Sequence, residues 1–541
     1  MYRKKLETKI IFTVITLFFI AFLFIPLLIL SMNSFMGENG MGFSNYYLVT
    51  HNKEFLIAIG NSIKVSLITA LITTISAFIL AYGVNCTKIF SPIKNFVKIG
   101  ISIPMLLPTI TYGFAIIYSF GRQGLLTKLF GRELFQIYGF NGLLTGYVIY
   151  TLPSAFLLIN NSFEYIDKKF IVVSKLMGDN FLRSFINTIF RPLIGTLGGA
   201  FVLSFILSFT DFGIPASVGG TYSVISTQLY EVMLGSIPNF NGGAAIAILM
   251  LIPAVFAVFF LNYIERYNFS YDKFTEIQLS KNKFRDISFG LVSVSTVVGI
   301  MLIFLVMFIA PFVNNYPYDM SFNSRLFKDT VLSGDILDVY GNSLYVSIIS
   351  AIIGTIICYS AAIVNARSNM NKSAKLAIDI FSMITNTVPG MVLGLAYLML
   401  FNRSDLKGTF TIIVICNTIH FFTTPYLMAK NSLSKMNPAW ETTGELMGDN
   451  WIKTITRVII PNSINTIVEM FGYYFINSMV TISAIIFLVT ARTSLLTSKI
   501  NELQHFQNFN GVFVLSILIF STNIFIKLAC NLVNKKITIH K

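Results

Sequence analysis

The sequence predicts an all-α polytopic membrane protein, with about twelve transmembrane helices in two homologous halves of about six helices each. Three observations support this fold class: the composition, the recurrence of long apolar stretches, and a repeated phrase. Of the 541 residues, 55% are hydrophobic and only 12% are charged, and the mean hydropathy is +0.72. Soluble globular domains carry roughly 25% charged residues. The composition therefore indicates that most of the chain lies in a bilayer.

The repeat consists of Ser174-Lys175-Leu176-Met177-Gly178-Asp179-Asn180 and Gly444-Glu445-Leu446-Met447-Gly448-Asp449-Asn450. Three more pairs follow one another in the same order in apolar surroundings, with one common sequence offset: Gly60 and Gly341, Pro108 and Pro389, Gly113 and Gly394. An ordered series of this kind indicates an internal duplication. We expect the first half to cover residues 1–280 and the second half residues 281–541.

Apolar stretches near 20 residues, long enough to cross a hydrocarbon core of about 30 Å, give the positions of the helices. The predicted spans of the first half lie near 9–30, 61–83, 96–119, 142–160, 194–213 and 243–264. Those of the second half lie near 287–313, 343–364, 376–400, 409–429, 463–489 and 511–533. Pro104 and Pro108 interrupt the third span, which membrane helices tolerate when neighbours satisfy the freed carbonyl groups.

The distribution of Lys and Arg predicts the orientation, because cytoplasmic loops are enriched in both residues. Arg3, Lys169, Arg183 and Lys535 are among the many basic residues of one set of loops, and the other set holds few. We therefore expect both termini and both repeated phrases on the cytoplasmic side of a bacterial plasma membrane. The net charge of +15 then reflects topology and attraction to the anionic lipid bilayer, and not nucleic-acid binding.

No catalytic or metal site is predicted. The four cysteines and four histidines are scattered, without metal-ligand spacing. The chain lacks a Gly-Lys dipeptide, so it has no phosphate-binding loop of the Gly-x-x-x-x-Gly-Lys type. We expect no cofactor in this chain.

The two polar loops near 161–193 and 430–462 carry the repeated phrase. In the first loop, Ile166, Phe170, Val173 and Met177 share one face of a short amphipathic helix predicted from Tyr165 to Met177. Gly178 ends this helix, and Asp179 or Asn180 caps the next one, which begins near Phe181. Gly448 and Asp449 or Asn450 repeat the scheme. Such a helix either rests on the lipid surface or projects toward a partner, and its duplication favours a partner with two matching sites.

A central Gly followed by a Pro about 13 residues later resembles the coupling loop of binding-protein-dependent ABC importer permeases. Gly448 and Pro461 have this spacing, whereas Gly178 and Pro192 are one residue further apart. The Glu-Ala-Ala of that loop is replaced by Val172-Val173-Ser174 and by Thr442-Thr443-Gly444. The resemblance implies two copies of a separate ATPase, which uses ATP, and an extracytoplasmic solute-binding protein. The implied contact residues are Ser174, Leu176, Gly178, Asp179 and Asn180 in the first loop and Gly444, Leu446, Gly448, Asp449 and Asn450 in the second.

A narrower resemblance concerns the solute. The segments Phe209–Pro215, Val218–Val224 and Asn477–Ala484 resemble fused permeases for 2-aminoethylphosphonate, a group similar to the fused ferric-iron permeases. A phosphonate is the implied solute, with ferric iron as the alternative. A secondary transporter, which also uses internal repeats, would need an ion-coupling site and no ATPase. A membrane-embedded enzyme would need catalytic groups clustered at one depth, and the sequence shows none.

Ionisable groups inside membrane spans are costly and are therefore functional candidates by default. The ionisable Asp211 and Glu469, and the polar Asn477 two turns after Glu469, are the candidates for a solute pathway. The structural alternatives are a carboxylate hydrogen-bonded to a helix end for Asp211 and a polar contact between helices for Glu469.

Overall fold

The computed structural model describes residues 2–37, 40–133, 135–163, 166, 169–265 and 282–539, and these are mainly helical. The helices of the first sequence half are α1 (Tyr2–Phe19), α2 (Ile25–Ser34), α3 (Ser44–His51), α4 (Lys53–Cys86), α5 (Ser91–Ser102), α6 (Thr109–Phe120), α7 (Leu125–Phe130), α8 (Phe140–Phe163), α9 (Lys169–Leu176), α10 (Phe181–Phe185), α11 (Arg191–Thr210), α12 (Gly213–Val218), α13 (Ile225–Leu234) and α14 (Phe240–Glu265). A short hairpin, β1 (Met36–Gly37) and β2 (Gly40–Met41), follows α2.

The second half has a similar, not identical, order of elements. Its helices are α15 (Lys283–Ile309), α16 (Arg325–Leu332), α17 (Gly334–Arg367), α18 (Lys372–Thr387), α19 (Gly390–Phe401), α20 (Phe410–His420), α21 (Thr423–Ser434), α22 (Ala439–Leu446), α23 (Trp451–Thr454), α24 (Ile460–Val480), α25 (Leu496–His505) and α26 (Phe509–Ile539). A hairpin of β3 (Val313–Asn315) and β4 (Asp319–Phe322) follows α15.

The helices confirm the all-α membrane fold. In the described part of the chain, 8 helical stretches are long and apolar enough to cross a membrane, and the number rises to 11 if each of three bent pairs is one span. The remaining predicted span, near 463–489, corresponds to α24, a helix of 21 residues that ends earlier than predicted, at Val480.

The predicted interruption of the third span occurs in both halves. The helical axis bends by 109° between Leu106 and Thr109, and by 102° between Thr387 and Gly390. Pro108 and Pro389 stand at the two bends with extended backbones, because a proline restricts both itself and the residue before it. The duplicated prolines thus produce duplicated bends.

Prolines also explain three π-helical turns. These turns, Ile20–Phe24, Ile186–Phe190 and Ile455–Ile459, each end two residues before a proline: Pro26, Pro192 and Pro461. A proline has no N–H to donate and its ring collides with the carbonyl four residues earlier, so a wider turn relieves the clash. The helices therefore continue through these prolines without a break.

The chain forms two compact units that interleave along the sequence. Unit 1 contains Met1–Val49, Pro238–Leu251 and Phe327–Lys541, and unit 2 contains Thr50–Ile237 and Ile252–Leu326. In unit 1, α1 packs against α17 and α18, and in unit 2, α15 packs against α4, α5 and α6. The opening helix of each sequence half thus packs with the later helices of the other half. The predicted boundary at residue 280 lies outside the described residues and stays a prediction.

The same hydrogen bonds recur in the two copies. In unit 2, the Ser62 hydroxyl accepts the N–H of Ile225 at 2.8 Å, where α13 begins. In unit 1, the Ser343 hydroxyl accepts the N–H of Leu496 at 2.8 Å, where α25 begins. Ser62 and Ser343 close the matching segments Gly60-Asn61-Ser62 and Gly341-Asn342-Ser343, so this repeated Gly-Asn-Ser phrase positions a later helix in each copy, as the duplication predicts.

Close packing between α17 and α24 gives a testable prediction. A Cβ atom at Gly354 would lie 2.5 Å from the ring of Tyr474, which is fully buried. Gly354→Ala should therefore lower the free energy of unfolding by about 1–3 kcal/mol through overpacking. Gly341→Ala, in the same helix but with open space around its Cβ, is the matched control and should not lower it. Thermal unfolding in detergent measures both. Equal stability of the two variants would contradict the predicted packing.

Candidate functional site

The first repeated phrase forms a helix–turn–helix whose turn depends on glycine. The helix α9 ends at Leu176, and Gly178 follows with a φ of +78°. The N–H of Asp179 donates to the carbonyl of Ser174 at 3.1 Å, a bond that closes the helix end. Among the described residues α9 begins at Lys169, and Tyr165, the predicted start of this helix, lies outside them.

Asn180, and not Asp179, caps the following helix. Its Oδ1 accepts the N–H of Arg183 at 2.9 Å. Asp179 instead accepts the Ser174 hydroxyl at 2.8 Å and pairs with the Arg183 guanidinium at 3.2 Å. The side chains of Ser174, Asp179 and Asn180 thus fix the geometry of the turn.

The second phrase adopts the same backbone. α22 ends at Leu446, Gly448 has a φ of +79°, and the N–H of Asp449 donates to the carbonyl of Gly444 at 2.9 Å. Asn450 Oδ1 accepts the N–H of Lys453 at 2.9 Å, and Asp449 pairs with the Lys453 ammonium group. The sequence prediction of a duplicated turn is therefore correct at the level of individual hydrogen bonds.

Each turn exposes an adjacent pair of apolar side chains. Leu176 and Met177 are 82% and 77% exposed, and Leu446 and Met447 are 84% and 78% exposed. Large apolar side chains at such exposure are typical of surfaces that contact a partner or a membrane when they occur together. We name the two segments 169–180 and 439–450 the first and second coupling loops.

The apolar face predicted for α9 borders a cleft. Ile166, Phe170, Val173 and Met177 line a cavity of about 190 Å³, together with Asn187, Thr188 and Pro192. The four residues therefore share one face, as predicted, and this face lies opposite the π-helical turn that precedes α11.

Each coupling loop continues into a long helix. The stretch Leu182–Thr210 forms one apolar span of 29 residues that includes α10, the π-helical turn and α11. The same sequence of elements, α23, a π-helical turn and α24, runs from Trp451 to Val480. Helical structure therefore continues from the end of each loop through the long helix that follows it.

An ion pair joins the second coupling loop to a long helix. The Arg367 guanidinium at the end of α17 pairs with Glu441 of α22 at 2.6 Å. Sequence reasoning missed this pair because its members are 74 residues apart and neither lies in the repeated phrase. The only sequence signal is a basic residue at the end of a span.

Asp211, a candidate for the solute pathway, is buried in its unit and hydrogen-bonded where a helix begins. It is 7% exposed, and its carboxylate accepts the N–H of Ile214 at 2.9 Å. Its backbone carbonyl accepts the hydroxyl of Ser226 at 2.7 Å. These bonds favour the alternative of a carboxylate that caps a helix end.

Glu469 and Asn477 lie on α24 and do not contact each other. Asn477 donates to the carbonyl of Tyr473 at 2.8 Å, one turn earlier in the helix. Glu469 is exposed within its unit, and it has no hydrogen-bond or ion-pair partner among the described residues. Steps of three residues separate it from Thr466, which donates to Ser432 of α21, and from Gly472, which faces Cys530 of α26. The Glu469 side chain therefore leaves α24 between α21 and α26.

Comparison with known proteins identifies the fold. Residues 77–266 and 354–539 each match the family described as binding-protein-dependent transport system inner membrane component. The chain belongs to this family. The match occurs twice, so the protein is a fused permease with both halves in one polypeptide, as the duplication predicts. Members of this family work with a solute-binding protein and an ATPase.

Several named relatives are transport permeases. The ferric transport system permease protein FbpB of Actinobacillus pleuropneumoniae is 25% identical over 82% of this chain and 66% of its own length. A protein of Haemophilus influenzae named as a ferric transport permease, FbpB 1, is 25% identical over 80% of this chain and 70% of its own length. The spermidine/putrescine permease PotC of Escherichia coli is 26% identical over 44% of this chain and 88% of its own length. The chain thus spans about two thirds of the ferric permeases that it resembles.

The position of Glu469 gives a second prediction. An unpaired charge in the hydrocarbon layer costs about 2.5–3.5 kcal/mol on insertion scales. We therefore predict that the Glu469 side chain faces water or a polar partner, and not lipid. Glu469→Gln should lower solute uptake more than it lowers the amount of protein in the membrane. Glu469→Leu is the control. If Glu469 faced lipid, this variant would raise the amount of permease in the membrane and leave uptake per molecule unchanged. Full uptake by both variants would contradict a role in the pathway.

Proposed function

We propose that this permease is the membrane subunit of an ATP-driven importer and that each coupling loop binds one copy of a separate ATPase. The observation that carries the proposal is the repeated turn, with the same positive φ, the same Asn cap and the same exposed Leu–Met pair. Two equivalent contact surfaces on one chain fit a partner that is itself a symmetric dimer.

The shape of the coupling loops supports a protein partner over a lipid surface. α9 and α22 are only 8 residues long, and the most exposed apolar side chains lie at the turn, at and just beyond the end of each helix. A helix that rests on lipid buries a continuous apolar face along its length. The Leu–Met pairs instead form compact knobs of the kind that fit a pocket on another protein.

The mechanism is mechanical. ATP-driven closure of the ATPase dimer would move the two coupling loops, and the continuous helices that follow them would carry this movement into the membrane. The solute-binding protein would deliver the solute on the opposite side. This scheme needs both termini and both loops in the cytoplasm, which is the orientation that the Lys and Arg distribution predicts.

For the solute we propose ferric iron, with a phosphonate as the second candidate. The ferric proposal is supported by two relatives named as ferric permeases, each aligned over 80% or more of this chain. The phosphonate proposal is supported only by the short segments Phe209–Pro215, Val218–Val224 and Asn477–Ala484. The longer similarity therefore carries more weight.

Uptake by the assembled importer tests the solute. Cells that express the permease with its ATPase and binding protein should accumulate radioactive ferric iron and should lose this uptake when the ATPase is inactivated. Competition with unlabelled 2-aminoethylphosphonate should leave iron uptake unchanged. Uptake of the phosphonate without uptake of iron would overturn the ferric proposal, and uptake that persists without the ATPase would indicate a secondary transporter.

The coupling contact is tested at Gly448. Its Cβ direction meets open space, so a substitution acts only through the backbone, which has a φ of +79°. Gly448→Val should weaken retention of the ATPase by about tenfold, since a β-branched residue strongly disfavours this conformation at a cost of about 1–2 kcal/mol. Gly448→Asn is the matched control, because Asn tolerates positive φ, and should retain the ATPase nearly as well as the unaltered permease. Copurification in detergent measures both. Equal, normal retention and uptake in both variants would contradict the coupling role of the turn.

A further inference from the structure

We propose that Tyr474 is a positioning residue that divides one membrane span of the second copy into two helices, α20 and α21, and that this division allows α21 to move with the second coupling loop. The inference rests on the proposed function of the coupling loops and adds a joint within the membrane. The joint lies between His420 and Thr423, where the helical axis bends by 53°.

The corresponding span of the first copy is a single helix, α8, which is continuous over 24 residues. A matching pair of hydrogen bonds fixes this correspondence. Ser162 near the end of α8 accepts the hydroxyl of Thr196 at 3.1 Å, and Ser432 near the end of α21 accepts the hydroxyl of Thr466 at 2.9 Å. The two copies therefore build the same span differently.

A proline alone does not explain the bend. Pro425 lies in the first turn of α21, but Pro153 lies inside the continuous helix α8. A threonine stands two residues before each proline, and its bonds differ between the copies. Thr151 donates to the carbonyl of Tyr147 in its own helix at 2.8 Å, whereas Thr423 donates to a carbonyl of the neighbouring helix α18 at 2.8 Å. Contacts with other helices therefore accompany the break.

Other helices also supply partners for backbone carbonyls at the break. The N–H of Phe422 donates to the carbonyl of Ile419, three residues earlier, at 3.2 Å. The carbonyl of Thr418 accepts the hydroxyl of Tyr474 of α24 at 3.0 Å. The thiol of Cys358 of α17 lies 3.4 Å from the carbonyl of Phe422 and 3.0 Å from the Tyr474 hydroxyl. Lipid cannot satisfy a carbonyl group, so these side chains stabilise the broken form.

The ring of Tyr474 has room because α17 carries a glycine beside it. A Cβ atom at Gly354 would lie 2.5 Å from this ring, which is fully buried. The first copy has other residues at the matching positions of α4. Counted from the repeated Gly-Asn-Ser phrases, Thr73 corresponds to Gly354 and Ala77 corresponds to Cys358.

A serine takes the place of the tyrosine in the first copy. Ser204 of α11 corresponds to Tyr474, since the two stand equally far after the threonines that bond α11 to α8 and α24 to α21. Thr73 lies 2.8 Å, hydroxyl to hydroxyl, from Thr151 of α8. The copy with the glycine and the phenol thus has the divided span, and the copy with the threonine and the serine has the continuous one.

The division changes what has to move with the second coupling loop. α21 ends at Ser434, shortly before α22 begins at Ala439, and α24 follows the loop. A continuous span would have to tilt as a whole when the loop moves, whereas a divided span allows α21 to tilt while α20 keeps its place. Tyr474 belongs to α24, so its hydroxyl bonds the helix that leaves the loop to the joint in the span that enters it.

The geometry of the joint is tested in the purified permease, without the ATPase. Nitroxide labels at the exposed positions Thr411→Cys and Ser434→Cys report the bend through their distance, with every native cysteine except the buried Cys358 replaced by alanine. Gly354→Thr/Cys358→Ala/Tyr474→Ser gives the second copy the residues of the first. It should lengthen this distance by about 4 Å, since a continuous helix spans more than a bent one. An unchanged distance would overturn the proposal.

A milder variant separates the hydroxyl from the ring. Tyr474→Phe keeps the ring but leaves the carbonyl of Thr418 without this partner, so the label distances should divide between the bent and the continuous form. Ser478→Ala is the matched control, because Ser478 lies one turn later on α24, is buried and has no hydrogen-bond partner in the described part of the chain. It should keep the bent distance alone. A single, unaltered distance in Tyr474→Phe would also refute the role of the hydroxyl.

The consequence for transport is tested in the reconstituted importer. The triple variant should bind the ATPase normally and lower the solute transported per ATP hydrolysed by about fivefold. Tyr474→Phe should give a smaller loss, and Ser478→Ala should give none. An unchanged ratio in the triple variant, or an equal loss in Ser478→Ala, would overturn the joint. Failure of the unaltered permease to bind the ATPase would instead refute the proposed function and leave the distance result intact.

Discussion

The structure depends on one constraint, which is that a helix interrupted inside the hydrocarbon layer leaves backbone N–H and C=O groups that lipid cannot satisfy. The chain interrupts helices repeatedly, at the bends near Pro108 and Pro389 and after α11 and α24. At each later interruption a side chain supplies the missing partner. Ser62 and Ser343 accept the first N–H groups of α13 and α25. Ser226 and Thr497 donate to the carbonyls of Asp211 and Thr481, where α11 and α24 end.

These partners explain why the duplicated residues are small and polar. A hydroxyl on a transmembrane helix reaches the backbone of a neighbouring segment only when the two approach closely, and serine permits that approach. In both copies, the serine of the repeated Gly-Asn-Ser phrase thus holds the start of a short helix, α13 or α25, against a long continuous helix, α4 or α17. Asp211 performs a related task in one copy, since its carboxylate accepts the N–H of Ile214.

Outside the hydrocarbon layer, the coupling loops obey a different constraint. There the turn must be sharp and must point two apolar side chains outward, and a glycine with positive φ followed by an Asn cap provides this geometry in both copies. In the second copy, the Arg367–Glu441 ion pair also joins the loop to the end of α17.

The sequence by itself determined the class of the fold, the duplication and the turn of each coupling loop. Hydrophobic length, proline position and glycine in a polar loop are local properties, and each acts within a few residues. Residues 164, 165, 167 and 168, at the start of the first predicted loop helix, lie outside the described part of the chain.

Only the tertiary structure decided the composition of the compact units, the choice of Asn180 over Asp179 as the cap, the burial of Asp211 and the Arg367–Glu441 pair. Each depends on which segments meet, and one sequence carries no record of contacts between residues that are far apart along it. The opening helix of each half illustrates this. Its apolar length predicts that it crosses the membrane, but an apolar helix packs equally well against either copy, so its assignment to the later helices of the other half is decided by the fit of side chains in three dimensions.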